Sequence, residues 1–132
     1  MIVTFRAANA DAASILERLG YHIVSSHYEH ASNPLVLEFP QGPLAVGREL
    51  IASWDTLRER DMILHILRPT DSCRDRLAGF MFWNDRGSLD QAVAVAKAQR
   101  HAVTLDVIRR WCRSEGKDES FSEFERALAL AE

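Results

Sequence analysis

Pro69 to Ala96 reads P-T-D-S-C-R-D-R-L-A-G-F-M-F-W-N-D-R-G-S-L-D-Q-A-V-A-V-A, and this stretch decides the fold. Pro69 and Thr70 form a helix start, because proline tolerates the first helical position, where no intrahelical amide bond is lost. Cys73, Leu77, Phe80 and Met81 then recur at helical spacing and predict an apolar stripe. Ser88 with Gln91 three residues on predicts a capping box, followed by a second stripe of Leu89, Ala92, Val93 and Ala96. The polar turn Trp83-Asn84-Asp85-Arg86 between them is expected to brace the junction, with Trp83 in the core beside Phe80, Leu77 and Trp111.

Toward the C-terminus the pattern continues. Thr104 opens a helix with Leu105, Ile108, Trp111 and Cys112 on one face, and Ser120 with Glu123 predicts a capping box for Phe121, Phe124 and Leu128. Gly116 and the charged Lys117-Asp118-Glu119 separate the two. Toward the N-terminus the text changes character. Met1–Phe5 is strand-like, Asn9 precedes a helix with Ala12, Ile15, Leu16 and Leu19 on one stripe, and Gly20 closes it. Tyr21–Tyr28 and Leu35–Phe39 read as strands joined through Ala31-Ser32-Asn33-Pro34, and Ile51–Leu57 with Met62–Leu67 as a hairpin turning at Glu59-Arg60-Asp61. Together these elements predict an α+β fold: a small mixed or antiparallel sheet packed with four to five helices. With 132 residues and no linker, 1–132 is expected to form a single domain with one core.

Composition narrows the function classes. The chain is 47% hydrophobic and 27% charged, with no apolar run near the ~20 residues of a membrane helix, so no membrane partner is expected. The opening residues lack the basic and long apolar regions of a signal peptide, which predicts a cytoplasmic location. A net charge of −3 argues against general nucleic-acid binding, which displaces counterions with a basic surface. Cys73 and Cys112 both fall on apolar helical stripes and read as reduced core thiols; spacing alone leaves a disulfide open, and compartment argues against it.

A strand–helix–strand–strand order, followed by a strand running into P-T-D and an Arg-bearing helix, resembles the nucleotidyltransferase-like proteins of abortive-infection and toxin–antitoxin systems. Leu64–Phe80 (L-H-I-L-R-P-T-D-S-C-R-D-R-L-A-G-F) is similar to the last sheet strand and following helix of that family, and Trp83–Ala92 to its Asp-containing turn. The resemblance implies a truncated scaffold. Family enzymes hold Mg²⁺ with an Asp-x-Asp strand, and Met1–Phe5 begins about where that motif belongs. Carboxylates fix the ions that neutralise the phosphates, so a chain without them is expected to be a non-catalytic binding or regulatory protein with no cofactor.

By the same resemblance Glu38 falls at the third carboxylate position and is the one weak catalytic candidate, against its plain reading as the solvent-facing residue of an alternating strand. The alternative function is a residual Mg²⁺-dependent nucleotidyltransferase acting on protein or RNA through Glu38 and a partner's ligands; a further alternative is an oligomeric structural module. Arg74, Arg76, Asp85 and Arg86 are the ligand-binding candidates, since guanidinium forks suit phosphates and carboxylates, although such charges equally form ion pairs on a solvated face. His22, His27, His30 and Glu29 read as a surface hairpin, because His22 and His27 on one strand would face opposite ways, and His65 as a half-buried strand residue. No metal site is expected. Leu44 and Val46 suggest an apolar lip or an exposed partner site, and a homo-oligomer or protein partner is expected, with the dimer edge near Met1–Phe5.

Overall fold

Among the described residues the strands are antiparallel and form three small sheets, while the four helices from Pro69 onward gather around a core of their own. The computed structural model describes residues 9–39 and 43–131, which carry five helices and seven short strands. The chain is therefore α+β. The strand expected over Met1–Phe5 lies outside the described residues. The chain divides into two compact units, Met1–Leu44 and Ala45–Glu132.

In the first unit, α1 (Asn9–Arg18) precedes a meander of β1 (Tyr21–Val24), β2 (His27–His30) and β3 (Asn33–Glu38). The strand expected over Tyr21–Tyr28 is broken. Val24 pairs with His27, leaving Ser25-Ser26 as a two-residue turn, with Ser25 at φ 58°. Serine hydroxyls bond locally to turn backbone, and a left-handed first residue matches the twist of the flanking strands. The β2–β3 register shifts between Tyr28 and His30, opposite the stretch that contains Pro34, which has no amide to give to the ladder.

The second unit opens with the two-residue strands β4 (Ala45–Val46) and β5 (Glu49–Leu50), then the hairpin β6 (Asp55–Glu59) and β7 (Met62–Ile66). Helices α2 (Pro69–Trp83), α3 (Arg86–Ala98), α4 (Leu105–Ser114) and α5 (Asp118–Leu130) follow. The predicted stripes meet in one cluster that includes Cys73, Leu77, Phe80, Leu89, Ile108, Trp111 and Phe124. Each such side chain contributes roughly 1.5–3 kcal/mol by leaving water, so this cluster dominates the unit's stability. Val46 is buried in the same cluster, which corrects the alternative that placed it in an exposed partner site. Both thiols are free and buried, and desolvation pushes each up to about 12, Cys73 further raised by Cys112 and Cys112 by Asp118.

The helix starts differ from the boxes read in the sequence. Asp85, not Ser88, caps α3: its carboxylate accepts from the Gly87 amide at 3.0 Å and from the Ser88 hydroxyl at 2.6 Å. Helix α5 starts at Asp118 after Lys117, placing Ser120 inside the first turn, and it has no side-chain cap. Thr70 joins two helix starts instead of capping its own, donating to the Ala102 carbonyl and accepting from the Thr104 amide. Trp83 is 76% exposed, a second correction. The left-handed Asn84 ends α2 just after it, so the last turn carries Trp83 past the packed stripe.

Candidate functional site

Arg74 is a charged residue buried along its whole length, at 5% exposure. It lies within the Cys73–Leu77 stretch of α2, where the helical stripe turns inward, and its burial is matched by partners. One guanidinium nitrogen donates to Asp71 at 2.9 Å and another to Glu49, while the plane lies over the Trp111 ring at 5.0 Å from the centroid. The hairpin β4–β5 supplies Glu49. Its turn is clamped by Glu115, whose buried carboxylate accepts from the Arg48 amide at 3.0 Å and pairs with the Arg48 guanidinium. Buried charge is costly unless paired, so Arg74 ties the hairpin to α2 and α4.

The other two candidate arginines are also engaged. Arg76 donates to Asp75 and, at 3.3 Å, to Gln91; Arg86 pairs with Glu123 and lies 5.4 Å from the Phe80 ring. Asp85 is held below the usual carboxylate range, chiefly by the Ser88 hydroxyl, which outweighs the opposing desolvation, with lesser help from the Ser88 and Gly87 amides. About 14 Å of helix separates Arg74 from the end of α2 at Trp83, beyond which Asp85 and Arg86 begin α3. The four candidates thus form a structural network and a helix cap, with Arg74 and Arg76 inside α2 and Asp85 and Arg86 beyond its C-terminal end.

Glu38 is exposed, as its plain strand reading predicts, and stands opposite His27 in the β2–β3 register. The Ser25-Ser26 turn changes the histidine geometry. His22 faces Glu29 and Val24 faces His27, so His22 and His27 share a sheet face, contrary to the expectation of opposite faces. On it His27 Nε2 lies 2.8 Å from Glu29 Oε1. The arrangement is a surface imidazole–carboxylate pair. Among the described residues no group of three His, Cys, Asp or Glu side chains is disposed to hold a metal ion.

The surface that sequence reading missed is the β6–β7 hairpin. Its ladder runs Asp55 to Ile66, Thr56 to His65, Leu57 to Leu64, Arg58 to Ile63 and Glu59 to Met62, with Arg60 at φ 52° in the turn. Leu57, Met62, Leu64 and Ile66 therefore share one face, and all are solvent-exposed, Leu57 at 55% and Met62 at 64%. The hairpin packs on no other helix or strand of its unit. His65, expected half-buried, is exposed beside Trp54 and bonded to the Thr56 hydroxyl at 2.9 Å. The apolar run of Met62–Ile66 and its hairpin were visible in the sequence; what it lacked was any sign that the strands stand apart from the helical core.

Among the described residues no helix is long and apolar enough to cross a membrane. Comparison of the chain with protein-family models, with curated proteins and with solved structures yields no match.

Proposed function

We propose that this chain is a non-catalytic binding or regulatory protein that works in the cytoplasm and engages protein partners through the β6–β7 hairpin. The observation that carries this reading is the exposed apolar face of Leu57, Met62, Leu64 and Ile66 on a hairpin with no packing partner in its unit. A two-stranded hairpin is marginal by itself in water, and an exposed apolar strand face is a template for association. Engagement of Arg74, Arg76 and Arg86 by internal acids supports the same reading, since those guanidinium groups serve the fold. The resemblance of Leu64–Phe80 to the nucleotidyltransferase-like proteins supports a role allied to toxin–antitoxin or defence systems.

The test uses the isotopically labelled full chain and a library of short peptides with alternating apolar and polar residues. Peptides that shift the amide resonances of Leu57–Ile66 ahead of those in α2–α5 are the expected result. Failure of every peptide to perturb that hairpin overturns the binding reading. Transfer of label from a nucleoside triphosphate with Mg²⁺ to the protein or to RNA, abolished in Glu38→Ala, overturns the non-catalytic part.

A further inference from the structure

Among the described residues neither edge of the β6–β7 hairpin is paired with another strand, and the side chains of the two strands differ in charge. Strand β6 carries Asp55, Arg58 and Glu59, whereas β7 runs Met62-Ile63-Leu64-His65-Ile66 without Asp, Glu, Lys, Arg or Pro. Natural sheets blunt exposed edges with such residues, and β7 has none. The closing pair of the two-residue turn is Glu59 with Met62, so Met62, Leu64 and Ile66 direct their backbone groups toward β6, and Ile63 and His65 direct theirs outward.

We propose that the outer edge of β7 binds β7 of a second copy of this chain, antiparallel, about a two-fold axis through Ile63, giving a four-stranded sheet across the pair. This inference rests on the reading of the hairpin as a binding surface. The register follows from charge. With Ile63 opposite Ile63 of the second copy, Met62 faces Leu64, and Asp61 faces His65 at both ends, so acid meets imidazole twice. The side chains of Leu57, Met62 and Leu64 from both copies then line one continuous apolar face. On β6 the residues that direct their backbone groups outward are Thr56 and Arg58, and the pairing about Arg58, the partner of Ile63 in the hairpin, sets Arg58 against Arg58 and Asp55 against Asp61 at both ends, like-charge contacts that disfavour it. A two-fold axis makes the patch self-complementary and closes the assembly at two copies.

Sedimentation of the purified chain across a concentration series, with an Ile63→Cys variant and a charge pair, tests the register. Dimer is expected for the native chain. Oxidation of Ile63→Cys with diamide should give a covalent dimer, one disulfide forming as two thiols give up two electrons to the reagent, while Leu57→Cys should give little. Asp61→Lys should weaken the dimer by about tenfold, and adding His65→Glu to it should restore association. A monomer at every concentration overturns the dimer. So does a dimer indifferent to Asp61→Lys and not cross-linked through position 63. Peptide shifts at Leu57–Ile66 in a chain that stays monomeric would leave the binding reading standing while this inference fell; loss of both would sink both.

Discussion

The guanidinium carbon of Arg74 lies over the Trp111 ring, 5.0 Å from its centroid, and the Arg74 Nε and Trp111 Nε1 atoms are both buried without a hydrogen-bond partner. The guanidinium is held by Asp71 and Glu49 through its terminal nitrogens alone. The stack fixes α2 against α4, and the ion pairs fix β5 against α2. Arg74→Ala is expected to lower stability by about 2–4 kcal/mol, because the paired carboxylates lose their counter-charge and the indole loses its cover. Urea denaturation measures this. Arg74→Lys should recover little, since an ammonium does not reproduce the flat, forked contact.

Trp83 and Trp111 should behave oppositely. Trp83→Ala is expected to change stability by no more than about 0.5 kcal/mol, since its ring is mostly in water. Trp111→Ala should cost about 3–5 kcal/mol, because that ring is 2% exposed and fills the centre of the helical core. Thermal melts of the two variants decide the point, and a large loss in Trp83→Ala would place that ring in an interface.

Asp85 provides a pH signature. Its carboxyl is lowered from the ordinary aspartate value of 3.8 chiefly by the Ser88 hydroxyl, with the backbone amides adding to this, so the folded state favours the ionised form. The resulting stability is present above the unfolded-state value and is lost as pH falls through the lower folded-state value. Asp85→Ala should therefore be less stable than the native chain at pH 7, with the gap narrowing below about pH 3.8. Asp85→Asn, which keeps a capping oxygen, should retain most of the neutral-pH stability. Denaturation midpoints at pH 7 and in that acid range supply the measurement.

Gly47 and Gly116 separate strain from crowding. Both have positive φ, 59° and 68°, yet a Cβ on Gly47 would sit 2.5 Å from Glu115 Oε1 and 3.1 Å from Trp111 Nε1, while one on Gly116 would meet nothing within 4 Å. Gly116→Ala should cost about 1–2 kcal/mol, the left-handed penalty alone. Gly47→Ala should cost about 2–4 kcal/mol, because the β4–β5 turn must also back away from its clamp. Chemical denaturation of both variants gives the difference directly.

What the sequence by itself determined was the helical half and its inward faces. Cys73, Leu77, Phe80, Ile108, Trp111, Cys112 and Phe124 recur at a spacing that only a helix converts into one side, and each is buried. The α+β class follows from that half together with the β-branched and aromatic runs before it. Tertiary structure decided the rest. Strand text does not say which strands pair, so a single expected sheet became a meander and two hairpins, and Ser25-Ser26 folded one predicted strand back on itself. The charge set around α2 was legible as residues but not as partners: Glu49 and Glu115 reach Arg74 and Arg48 from 25 and 67 positions away in the chain. Burial of Arg74 and exposure of Trp83 both reverse what their side chains alone suggest. The reason is that local periodicity fixes which way a residue faces along its own element, while its cost or benefit depends on what another element brings to that face.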